Sequence, residues 1–211
     1  MIYAERSFGS MHLPKLLGTY ELELSSLFSF SRLKQYTQII NLGCAEGYYA
    51  NGAAFILKAG FCSHKVDVIG IDINTEALAQ GRRIAESNGL NVRFTIPPVP
   101  PFKHSAARRL LICDVEGEEL RVIEAQTTES ETATDYIIEL HDQPGQTRIL
   151  DELQARFSSS HNCRTVEFRP RQLNDFPAEL GFEVADEIKL AAMDERRTLG
   201  LRWLLMEARK L

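Results

Sequence analysis

Four groups of residues in this chain have types and spacings that suit chemistry. Gly43 and Gly47 bracket Cys44-Ala45-Glu46 in the run Gln38-Ile39-Ile40-Asn41-Leu42-Gly43-Cys44-Ala45-Glu46-Gly47-Tyr48-Tyr49. Asp72 closes the apolar run Val68-Ile69-Gly70-Ile71 and precedes Ile73-Asn74. Asp114, Glu116 and Gly117 follow Leu110-Leu111-Ile112-Cys113, while Glu139, His141 and Asp142 close a fourth run. Apolar runs that break at glycines and at an acid read as buried strands of a βαβ unit, whose carboxyl ends lie side by side. A nucleoside can set its backbone near the glycines there and its ribose hydroxyls near the acid. Asp72 suits that task because one carboxylate accepts from both hydroxyls. Asp114, Glu116 and His141 are the candidates for moving a proton. His141 leads, since an unperturbed imidazole titrates at about pH 6.5.

Spacing then narrows the cofactor. A dinucleotide fingerprint carries a middle glycine that lets the backbone approach a pyrophosphate, and Ala45 holds that position. No Lys-Ser or Lys-Thr follows Gly47, so a phosphate-cradling loop is unsupported as well. A glycine loop without a phosphate clamp suits a nucleoside without phosphate, and S-adenosylmethionine is the commonest of these. The expected contacts are Gly43, Cys44, Ala45, Glu46, Gly47 and Tyr48 around its methionine part and Asp72 at the ribose. Asn41 and Ile73 complete the cofactor-binding set, and Asp114 faces the reacting methyl group. The five groups Asp114, Glu116, Glu139, His141 and Asp142 would also suit a divalent ion. Proton transfer is the favoured reading, and no metal ligand is assigned.

These motifs resemble a known family. Asn41-Leu-Gly-Cys-Ala-Glu-Gly-Tyr-Tyr is similar to the first motif of class I S-adenosylmethionine-dependent methyltransferases. Leu111-Ile-Cys-Asp114-Val-Glu116-Gly117-Glu-Glu119 and Glu139-Leu-His141-Asp142 resemble strand ends of the FkbM type. The resemblance covers roughly positions 36 to 160. It implies an α/β fold with a doubly wound, Rossmann-like sheet, mostly parallel with an antiparallel last strand. It also implies O-methylation of a small molecule such as a sugar or secondary metabolite. Two departures stand out: Asn41 replaces the motif's first acid, and the proline-rich stretch Ile96 to Phe102 takes the place of a helix bordering the adenine pocket. They keep a second reading open, a catalytically silent binding or assembly module, which the intact Asp72 opposes. An NAD-dependent oxidoreductase is the weaker alternative, for want of the middle glycine.

The elements that must position these residues follow from periodicity. Strands are predicted near 38–43, 66–72, 91–95, 109–114 and 135–140, and helices near 48–58, 75–88, 117–125 and 146–157. Residues 171–180 read as a helix, 164–169 as an edge strand and 201–208 as a last strand. The chain reads as one domain, a helical cap over 1–36 and a Rossmann-like core over 37–211. Glu118 and Glu119 read as favouring a helix N-terminus through its dipole, and Asp194-Glu195-Arg196-Arg197 as a solvated turn. The 96–102 stretch must be an extended connector, since its four prolines remove four amide donors.

Composition sets the outer limits. The chain has 211 residues, 25% charged and 44% hydrophobic, with a formal charge of −5 and a pI of about 5.6. That balance belongs to a globular chain with enough interior for a core. A net acidic surface has no attraction for phosphate backbones, so nucleic acid is not the expected partner. Cys44, Cys62, Cys113 and Cys163 lack C-x-x-C spacing and read as buried thiols. No signal-like or membrane-spanning run appears, and a cytoplasmic setting follows as the expectation. The sequence leaves oligomeric state open.

Overall fold

The computed structural model describes residues 1–97, 108–126, 133–142, 147–181, 183–198 and 200–209. Seven strands form one sheet: β1 (Gln38–Leu42), β2 (Asp67–Ile71), β3 (Val92–Thr95), β4 (Arg109–Cys113), β5 (Thr134–Leu140), β6 (His161–Glu167) and β7 (Arg202–Ala208). Their spatial order is β3-β2-β1-β4-β5-β7-β6, with β7 antiparallel to both neighbours and every other pairing parallel. The order reverses between β1 and β4. In an open α/β sheet a crevice forms at the carboxyl ends of the strands at such a point.

Alternate residues of each strand enter two different cores, because side chains alternate across a sheet. Ile39, Leu110, Ile112 and Leu205 face helices α3 (Tyr48–Ala59) and α4 (Thr75–Ser87) together with the N-terminal cap. Ile40, Leu111, Ile138 and Leu204 face α5 (Glu119–Gln126) and α6 (Arg148–Phe157). Both faces are buried, which explains why the central strands read as continuous apolar runs. The cap consists of α1 (His12–Leu17), a 3₁₀ segment (Leu22–Phe28) and the single turn α2 (Phe30–Leu33). Asn74 caps α4 by accepting from the amides of Glu76 and Ala77, each at 3.1 Å.

Sequence expectation and structure part company toward the C-terminus. Residues 171–180 form two 3₁₀ turns, Leu173–Asp175 and Ala178–Leu180, instead of a helix. Pro177 separates them, and the first is closed by reciprocal capping between Gln172 and Asp175. Helix α7 (Asp186–Met193) has no counterpart in the sequence reading, and β6 starts three residues before the expected 164. Most of the 96–102 stretch lies outside the described residues.

Two glycines show how differently the fold uses them. Gly43 has φ +69, and a Cβ there would sit 1.5 Å from the Asp114 carbonyl oxygen, so the glycine loop packs on the end of β4 through a missing side chain. Gly52, inside α3, has nothing within 4 Å of its would-be Cβ. Gly43→Ala should therefore cost about 3 kcal/mol or more in urea denaturation. Gly52→Ala should gain up to about 1 kcal/mol from helix propensity. Equal stabilities of the two variants would contradict this packing.

Candidate functional site

The loop after β1 is shaped by backbone hydrogen bonds that tie it to the end of β2. Gly43 and Cys44 donate to the Ile71 carbonyl at 2.9 and 3.0 Å, and Gly47 donates to the Cys44 carbonyl at 2.7 Å. Ala45 between them has φ +45, a conformation unusual for a residue with a side chain. Asp72, at the end of β2, accepts from the Ala45 amide at 2.7 Å and from the Asn74 amide at 2.7 Å. Its carboxylate thus bridges loop and strand, with lone pairs left over for further donors. Ile73 beside it is 85% exposed, an apolar side chain presented at the crevice rim.

Three residues assigned to the cofactor turn their side chains elsewhere. Glu46 is fully buried and holds the N-terminal segment: Lys15 Nζ at 2.6 Å, the Tyr3 hydroxyl at 2.8 Å and the Phe8 amide at 3.0 Å all donate to it. Those partners, Lys15 foremost, hold its carboxyl below the usual range against the opposing pull of burial. Asn41 is buried, with Oδ1 lacking a hydrogen-bond partner. The Cys44 thiol is buried, and burial pushes its pKa well up. Tyr48 opens α3, its ring edge-on to Tyr20 at 5.3 Å.

The second half of the site gathers where β4 and β5 end. His141 Nδ1 lies 2.7 Å from Glu119 Oε1, and the Gly117 amide donates to the same oxygen at 2.9 Å. The Glu119 side chain is fully buried. Its part is therefore to hold the imidazole, beyond any effect on the helix dipole, which was the expectation for it. The other ring nitrogen, Nε2, lies 3.4 Å from Glu116 and 3.7 Å from Asp114. Asp114, Glu139 and His141 each offer a ligand atom within 4.8 Å of the others. Burial opposes the His141 charge, yet the bond to Glu119 and the charges of Glu139, Glu119 and Asp114 push its pKa up to about 9. Burial and the neighbouring Glu139 push Asp114 up to about 8. The imidazole thus departs from the unperturbed titration assumed from sequence: it holds its proton at neutral pH.

Behind these groups lies an ionic cluster that the sequence reading placed in solvent. Arg197 Nη1 donates to Glu139 at 2.5 Å, and Nη2 donates to Glu21 and, at 2.7 Å, to the Tyr20 hydroxyl. Glu195, 7% exposed, accepts from Arg171 at 2.5 Å and from the Glu21 amide at 3.1 Å, while Arg171 also binds Glu23 at 2.6 Å. Glu195 and Arg197 are therefore turned inward against the cap, while Asp194 and Arg196 are exposed as a solvated turn would have them. Two acids followed by two arginines carry no sign of the distant partners that draw two of them in.

Comparison with known proteins follows this geometry. A family model described as a methyltransferase domain matches residues 33–178. No curated protein matches the chain significantly. Among solved structures, an O-methyltransferase from Bacillus cereus in complex with S-adenosylhomocysteine is similar at a TM-score of 0.51 and 12% identity, covering 93% of this chain and 80% of that one. An rRNA methylase from Streptococcus thermophilus gives 0.55 at 9% identity, covering 90% and 97%. A precorrin 8w decarboxylase from Methanobacterium thermoautotrophicum gives 0.51 at 12%, covering 100% and 97%. These likenesses confirm the Rossmann-like fold; their differing chemistries leave the substrate open.

The titrations predict how stability depends on pH. His141 at about 9, and Asp114 and Glu21 at about 8, all bind protons more tightly folded than unfolded. The His141 contribution is complete below about pH 6.5 and is lost as pH rises through about 9, and the two acids work in the same direction up to about pH 8. Urea-denaturation stability should therefore fall steadily from pH 6 to 9.5, with a shallower slope in His141→Ala. A flat or rising profile would refute the placement of these groups.

Proposed function

We propose, from the premise that this chain belongs to the methyltransferase-domain family, that it is an S-adenosylmethionine-dependent O-methyltransferase of small molecules. The observation carrying this reading is the Asp72 carboxylate closing on the Ala45 amide of the glycine loop at 2.7 Å, at the strand ends that also hold Asp114 and His141. The residues fit the cofactor: Asp72 keeps acceptor capacity for ribose hydroxyls, Ile73 offers an apolar face for adenine, and Gly43 to Tyr48 border the methionine part. Glu46 ties that loop to the N-terminal segment, and Asn41 completes the proposed cofactor set. The Asp114-Val115-Glu116-Gly117 strand end and His141 favour the FkbM type. The cap over 1–36 and the core over 37–211 act as one domain.

When bound, S-adenosylmethionine supplies an electrophilic methyl group on a sulfonium. The chain's own task is to hold the acceptor hydroxyl in line and to receive its proton. Glu119 fixes His141 through Nδ1, so Nε2 is the ring nitrogen turned to Asp114 and Glu116. Asp114 and His141 titrate together and hold their protons at neutral pH, so the pair can receive the acceptor's proton only in the form present as pH rises through about 8 to 9, and turnover should climb over that range. A second reading has its own support: the ligand atoms of Asp114, Glu139 and His141 are close enough to hold a divalent ion. No helix among the described residues is long and apolar enough to cross a membrane.

Calorimetric titration tests the cofactor: S-adenosylmethionine or S-adenosylhomocysteine should bind with micromolar Kd and raise Tm. Asp72→Ala should weaken that affinity by about 1.5 to 3 kcal/mol, with Tm of the free variant measured alongside because Asp72 also holds two amides. Equal binding of NAD, or unchanged affinity in the variant, would sink the reading. Manganese titration separates the two roles of the acidic site. Heat of binding abolished by Asp114→Asn would favour metal, whereas turnover unaffected by chelator and lowered about 10²- to 10⁴-fold by His141→Ala would favour proton transfer.

A further inference from the structure

Between the cap and the outer flank of α3 lies a cavity of about 330 Å³, at the lower end of the range for small-molecule sites. Tyr48 is the one residue it shares with the candidate cofactor set. Tyr20, Phe28, Tyr48, Tyr49 and Phe55 make its walls aromatic. The rings brace one another: Phe28 stacks on Tyr49 at 4.7 Å and 21°, and Tyr48 meets Tyr49 edge-on at 5.2 Å. Gly52 and Gly18 also line the space, and a Cβ on either would meet nothing within 4 Å. A glycine in mid-helix is destabilising relative to alanine, and no neighbour of Gly52 needs the missing side chain. What the absence provides is room in the cavity.

Polar groups are placed at one end. Lys15 Nζ lies 5.0 Å from the Tyr20 ring centre and 5.5 Å from that of Tyr48. Glu21 lies beside them in a left-handed backbone conformation, φ +46. Residues with a side chain keep such strain mainly where surrounding structure enforces it, often at functional sites. The Glu21 carboxylate binds Arg197, Arg197 binds Glu139, and Glu139 lies within ligand distance of Asp114 and His141. One guanidinium therefore separates the polar end of the cavity from the reacting groups. Arg197 donates to one Glu21 oxygen and the Tyr49 hydroxyl to the other, so the carboxyl is fixed in place at this end of the cavity.

We propose that this cavity receives the planar aromatic body of the methyl acceptor, with the acceptor's polar substituent turned to the Glu21 end. Aromatic walls favour a flat π system over a saturated ring through stacked and edge-on contacts. The proposal rests on the methyltransferase reading and narrows its acceptor from sugars to hydroxylated aromatics.

The test uses the full chain with 2-naphthol as probe and cyclohexanol as the saturated control. Calorimetry with S-adenosylhomocysteine present should show 2-naphthol binding at least tenfold tighter than cyclohexanol. Gly52→Leu, which fills the cavity from the helix, should weaken 2-naphthol at least tenfold while leaving S-adenosylhomocysteine affinity unchanged. Ser25→Trp, on the exposed rim, serves the same purpose should the leucine variant melt early. A panel of naphthalenediols and saturated polyols then reads S-adenosylhomocysteine formation from S-adenosylmethionine. Turnover confined to the aromatic members and lost in the filled variant supports the proposal. No 2-naphthol binding, equal binding in the filled variant, or turnover of polyols overturns it. Absence of S-adenosylhomocysteine binding to the wild type is a different failure, that of the methyltransferase reading, and 2-naphthol titrated alone still reads the cavity.

Discussion

The half-buried guanidinium of Arg197 is the constraint on which the arrangement of the site depends. It takes Glu139 from the end of β5, Glu21 and Tyr20 from the cap, and lies 3.4 Å from Glu195 in its own segment. Burying that many charges costs several kcal/mol per ion before any pairing is counted, so the cluster is not by itself a source of stability. Its effect is on specificity of arrangement. Removing Arg197 would leave Glu21 and Glu139 buried without the partner they share, and the folded state avoids this only when strand end, cap and the segment before β7 stand in one relative position. Asp114 and His141 inherit that position, because Glu139 lies beside them and is held by Arg197.

The charge count of this region then sets its chemistry. Glu21, Glu23, Asp114, Glu139 and Glu195 face Arg171, Arg197 and His141, so carboxyls outnumber cations. The surplus is relieved where desolvation is severe, at Glu21 and Asp114, both pushed to about 8. The same surplus makes the imidazole hold its proton, since each nearby carboxylate favours the charged ring.

The sheet was largely legible because its strands are buried on both faces and read as unbroken apolar runs ending at Gly43, Asp72, Asp114 and His141. Local signals with a mechanism behind them also survived, such as Asn74 capping α4. What escaped was either long-range or weakly patterned. Nothing local announces that Glu119 holds His141 across 22 residues, or that Arg197 meets Glu21 across 176. A carboxylate two residues after Gly117 and a doubled Asp-Glu-Arg-Arg look like surface charge until the partners are known. Residues 171–180 misled for the opposite reason: their apolar spacing suits a helix, and Pro177 interrupts it.

Glu46 ties the glycine loop to the N-terminal segment. Its carboxylate accepts from Tyr3, Phe8 and Lys15, three points along the N-terminal segment, while its backbone belongs to the glycine loop. The same segment is fastened to α4 where Asn88 bonds both the amide and the carbonyl of Ile2, at 2.8 and 2.7 Å. The loop is thereby tied on one side to Asp72 and on the other to the cap. Since the cap is in turn held by Arg197 through Tyr20 and Glu21, the glycine loop and the Asp114–His141 cluster are joined through the N-terminus as well as through the sheet. Of the left-handed residues Gly43, Ala45 and Gly47, only Ala45 carries a side chain into that conformation, and the bond from its amide to Asp72 holds it there, while the buried Lys15–Glu46 pair fastens the next residue to the cap.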